Sequence, residues 1–87
     1  MINEVKKNLE SIAELLRNNN ESDLARSLDA LSSRADEDPE KFMHDVKRLF
    51  GGVGSLSDIV FSENGNPLID ENNKLDTLRK SLYKACP

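Results

Sequence analysis

The sequence predicts a mainly α fold, a compact bundle of about four helices, and two observations carry that prediction. Apolar residues recur every three or four positions in four separate stretches of the 87-residue chain, the spacing that gives a helix one buried face. Most of these stretches are bounded by residues that start or stop helices: an asparagine run, an Asp-Pro pair and a glycine cluster. One interval, near 56–69, departs from the pattern and reads either as a short β-hairpin or as an extra short helix. The length suits one domain over residues 1–87, able to bury about 60–65% of the surface its unfolded form exposes.

In the first stretch Ile2, Val5, Leu9, Ile12, Ala13 and Leu16 form the stripe, with Leu15 at its edge and Lys6, Lys7, Glu10, Glu14 and Arg17 outside it. Asn18, Asn19 and Asn20 end this helix, because asparagine side chains compete for backbone hydrogen bonds. A second helix, capped by Asn20 or Ser22, carries Leu24, Leu28, Leu31 and Ala35. The short connection makes the two helices antiparallel.

Asp38-Pro39-Glu40 opens a third helix, about 39 to 50. Asp38 accepts from free N–H groups, proline suits the first helical position, and Glu40 favours the positive end of the dipole. Phe42, Met43, Val46, Leu49 and Phe50 face the core, Lys47 and Arg48 occupy the last turn, and Gly51 stands where a left-handed cap is expected. Asn64-Gly65, between two brief apolar runs, is the hairpin signal. Pro67 weakens a second strand, and Ser55 or Ser57 would cap the competing short helix. Residues 70–85 return to helical spacing through Leu75, Leu78, Leu82 and Ala85, with Tyr83 beside the stripe.

Sixteen acids against twelve Lys and Arg leave a net charge of −4, which disfavours a phosphate backbone as partner and favours a protein that is itself basic. No apolar run reaches the ~20 residues of a bilayer span, and the N-terminus carries acids where a leader would be basic and then apolar. The expected setting is therefore the cytoplasm, away from membranes. Cys86 is the only cysteine, so neither an internal disulfide nor a thiolate metal cluster is expected. His44, the only histidine, sits among Glu40, Lys41, Lys47 and Arg48 and is expected to face solvent. With no tryptophan, one tyrosine and three phenylalanines, no aromatic cofactor pocket is expected, and no cofactor or metal is assigned.

The stretch Gly51-Gly52-Val53-Gly54-Ser55 supplies the glycines of a phosphate loop but no lysine, and the segment before it reads as helix where a dinucleotide fingerprint requires a strand. Gly51, Gly52 and Gly54 therefore read as structural, permitting a helix end and a close backbone crossing. Asp58 is a lone acid among apolar residues, a cap, a turn anchor or a partner contact. General acid–base work normally shows a second titratable group, and none stands near it in sequence, so catalysis is not expected. Asp36, Glu37, Asp38 and Glu40 form a compact anionic knob, a solvated helix start that also suits Arg or Lys on another protein.

Phe50-Gly51-Gly52-Val53-Gly54-Ser55-Leu56-Ser57-Asp58-Ile59-Val60 resembles the signature of a small bacterial domain family of unknown function, an aromatic residue followed by Gly-Gly-Met-Gly-Ser, an apolar residue, Asn and Asp. Val53 replaces the Met and Ser57 the Asn. The similarity extends more loosely to the leading helix pair and the closing "LDTLRKSLY" helix. Small acidic members of that family resemble the immunity proteins of bacterial polymorphic toxin systems. The resemblance implies a non-catalytic domain that binds a cognate toxin; the charge balance favours a toxin with a basic surface, and Asp36, Glu37, Asp38, Glu40, Ser55, Ser57 and Asp58 are the contacts expected from the residues themselves. The alternatives are a self-associating structural or adaptor domain, as a homodimer, and an anion-binding domain using the glycine loop.

Overall fold

A computed structural model describes residues 2–50 and 56–86. It contains helices α1 (Ile2–Asn18), α2 (Ser22–Ser33), α3 (Pro39–Arg48) and α4 (Ile69–Ala85). Between α3 and α4 lie a 3-10 turn (Leu56–Asp58) and a two-stranded antiparallel hairpin, β1 (Ser62–Glu63) with β2 (Asn66–Pro67). The fold is the expected mainly α bundle, and the 56–69 interval contains both a single helical turn and a hairpin. Gly51, Gly52, Gly54 and Ser55, and with them the expected left-handed cap and backbone crossing, lie outside the described residues.

Helix α1 is the spine of the molecule. Val5, Leu9, Ile12, Ala13 and Leu16 are all 0% exposed, and α1 packs against both α2 and α4, while α3 joins the bundle beside α2. Phe42 and Val46 of α3, Leu56 of the 3-10 turn, Phe61 before β1 and Leu75 and Leu82 of α4 complete the core. The particle is elongated, 41 × 22 × 22 Å.

The asparagine run ends α1 as expected, through Asn20, which takes φ 65°. Glu21 N–H then donates to Leu16 C=O at 2.9 Å, the closure a left-handed residue makes possible at a helix end. That turn overturns the expected cap of α2. Glu21 holds the N-cap position without a side-chain cap bond, because Asn20 is committed to the left-handed turn and Ser22 is already helical. For α3 the expected start holds, since Asp38 Oδ1 accepts from Lys41 N–H at 3.2 Å with Pro39 in the first turn. Its end comes earlier than residue 50. Leu49 and Phe50 N–H donate to Val46 and Lys47 C=O at 3.0 and 3.3 Å, a tightened last turn.

The expected stripe of α4 faces the core, and the packed face is wider than that stripe. Leu75 and Leu82 are buried, whereas Leu78 and Ala85 are only half-buried. Asn72 and Arg79 share the seven-residue spacing of Leu75 and Leu82, so the packed face alternates polar and apolar residues. Beyond it, the Tyr83 ring meets Phe50 edge to face, with centroids 5.4 Å apart and planes at 84°.

Candidate protein-interaction surface

The hairpin is stapled to α4 by Asn72. Its amide oxygen accepts from Phe61 N–H at 2.7 Å and its amide nitrogen donates to Phe61 C=O at 3.0 Å, the pair of bonds a neighbouring strand would make. Leu68 N–H donates to the same carbonyl at 3.0 Å. With Ser62 opposite Pro67 and Glu63 opposite Asn66, Pro67 falls at a position where the ladder asks for no donor. Asn64 and Gly65 turn the chain with φ 53° and 80°, the two positive values a type I′ turn requires.

Arg79 fixes the preceding turn. Its Nη1 donates toward the carbonyls of Leu56, Ser57 and Ile59 at 2.9, 3.2 and 3.4 Å, and Nη2 lies 4.0 Å from Asp76 Oδ1. A charged donor on several carbonyls is stronger than a neutral one, so the turn is held from below by a side chain only 19% exposed. Leu56 N–H and Ser57 Oγ donate back to Leu49 and Phe50 carbonyls at 3.0 and 3.4 Å, tying the turn to the end of α3.

This mount presents apolar surface to solvent. Phe61 is buried, but Val60 and Ile69, which flank the Phe61–Leu68 pair, are each 69% exposed. Glu63 and Asp70, nearby in the chain, are exposed as well. The result is an apolar pair with acidic neighbours on a backbone fixed by Asn72 and Arg79.

The expected contact residues are not gathered in one place. Asp36 pairs with Lys6 at 3.7 Å, Asp38 caps α3, and Glu37 and Glu40 are exposed at the same end of that helix. Ser57, bonded to Phe50, belongs to the other end of α3, and Asp58 closes the 3-10 turn beside it. Ten residues of α3 separate the two groups by about 15 Å at 1.5 Å per residue. Asn72, Arg79, Val60 and Ile69 were not singled out from sequence. For the first two a signal existed, because they share a helical face with Leu75 and Leu82.

A second feature opens between α1 and α4, an open groove of about 750 Å³ lined by residues that include Ser11, Glu14, Leu15, Asp70, Thr77 and Leu78. Its end is fixed by Asn19, whose Nδ2 donates to Leu15 C=O and to Glu71 Oε2, both at 2.9 Å. The Asn19 amide, and then Lys74, hold the Glu71 carboxyl below its ordinary range. Burial pushes the Cys86 thiol up. Among the described residues no group of three His, Cys, Asp or Glu stands close enough to hold a metal ion. His44 is exposed.

Fold and surface together define a small helical-bundle domain with a stapled hairpin. The chain belongs to the family described as a domain of unknown function (DUF6966), which matches residues 8–69. That span takes in most of α1, all of α2 and α3, and the hairpin. Neither a curated protein nor a solved structure matches the chain. Among the described residues no helix is long and apolar enough to cross a membrane.

Proposed function

We propose that this chain is a non-catalytic protein-binding domain that neutralises a cognate bacterial toxin by direct docking, as an immunity protein does. The observation that supports this reading is the rigidly mounted, exposed pair Val60 and Ile69. Large apolar side chains carried on backbone that is already bonded leave less chain to order on binding, and surrounding polar residues exclude water from them. The acids nearby and the knob at Asp36, Glu37, Asp38 and Glu40 suit a toxin with a basic face, whose approach their field would steer. A standard interface of about 800 Å² per partner takes about one seventh of the 5706 Å² surface, so one toxin domain fits without distortion of the bundle.

The test is co-expression with the product of the adjacent gene, followed by capture and titration. A one-to-one complex that abolishes the neighbour's toxicity, and that Val60→Glu/Ile69→Glu weakens by at least about 2 kcal/mol while helix content is unchanged, is the expected result. Recovery of this chain's own copies alone, beside a neighbour that is neither toxic nor bound, would replace the reading with a self-associating domain.

A further inference from the structure

We infer that the groove between α1 and α4 takes a basic amphipathic helix from a protein partner, an inference that rests on the protein-binding reading. The end of α1 meets the first turn of α4 through the Asn19–Glu71 bond, so the helices run antiparallel and leave a trough along their shared side. Half-buried Leu15 and Leu78 provide its apolar surface, and the short side chains of Ser11 and Thr77 leave room above them. Glu14, Asp70 and Glu71 line the trough against a single cation, Lys74, and Lys74 is already engaged by Glu71 at 3.4 Å.

Those features select the occupant. Both walls are helices whose backbone groups are bonded internally, so an extended peptide finds no strand edge to pair with, whereas a helix needs only side-chain contacts. From Asp70 to Leu78 the α4 wall runs about 12 Å at 1.5 Å per residue, enough for two turns and anchors spaced three or four residues apart. The excess of carboxylates selects lysines and arginines on the ligand's flanks and repels nucleic acid or an anionic lipid surface.

The experiment titrates the full chain with a labelled Lys/Leu peptide of about fifteen residues, long enough to be helical, with leucines on one face, and with a scrambled peptide of the same composition. Wild type is expected to bind the amphipathic peptide one to one and the scrambled one at least about tenfold more weakly. Thr77→Arg fills the groove from an exposed position and should weaken binding at least about tenfold, while Ala30→Arg, the same charge on an exposed site of α2, should leave it within about twofold. Equal binding by the two variants or of the two peptides, or no saturation at one to one, overturns the groove. A toxin that binds Thr77→Arg as tightly as wild type would overturn it as well, leaving the immunity reading intact. Discrimination of the peptides without any captured toxin would support the groove and count against that reading.

Discussion

Ser32 is buried, and its hydroxyl has no hydrogen-bond partner among the described residues. A polar atom removed from water and left unmatched costs more than its bond would return, so Ser32→Ala should stabilise the protein by about 1 kcal/mol. The melting temperature should rise by about 4–8 °C, which calorimetry reads directly. Asn19 offers the opposite case. Because it depresses the Glu71 carboxyl below its ordinary value of 4.5, the bond contributes fully above that value and is lost as pH falls through the lower folded one. Asn19→Ala should therefore lower the melting temperature at neutral pH, and the gap from wild type should narrow as the solution is acidified below about 4.5. A remainder persists, because the Leu15 carbonyl loses its partner at every pH.

The hairpin and the turn before it depend on one glycine and two helix side chains. Gly65 has φ +80° with open space where a Cβ would stand, so Gly65→Ala should cost about 1 kcal/mol from backbone strain alone. Arg79→Met keeps the aliphatic stem and removes the contacts to three carbonyls. Hydrogen exchange should then accelerate at residues 56–61 more than in α1, and equal acceleration in both would show that Arg79 acts only through global stability. Element by element, legibility in the sequence tracked how local the signal was. The Asn64–Gly65 turn and the Asp38 cap are read from adjacent residues, as is the stop at Asn20. The bonds of Asn72 and Arg79 are not, because their place on the face of Leu75 and Leu82 is readable but their partners are a distant segment's carbonyls and strand edge. The exposure of Val60 and Ile69 was equally illegible, since whether an apolar side chain is covered depends on the whole fold. The separation of the acids at 36–40 from Ser57 and Asp58 follows from the length of α3, which sequence placed two residues too long.

At the scale of the molecule, stability converges on α1. Leu9 is 0% exposed near the middle of that helix, and Leu9→Ala should cost about 2–5 kcal/mol. For 87 residues the total is about 4–13 kcal/mol, so this one truncation should remove a large share of it, visible as a lower urea midpoint with an unchanged slope. The aromatic contact between Phe50, just past α3, and Tyr83 of α4 has an optical consequence. The chain has one tyrosine and no tryptophan, and Tyr83 stands 67% exposed against Phe50. The principal intrinsic fluorophore therefore reports from a surface corner and leaves the interior dark. Emission reports on the contact of Tyr83 with Phe50, two residues past the end of α3, while circular dichroism follows loss of helix, and any offset between the two signals on heating would show that this contact parts before the helices melt.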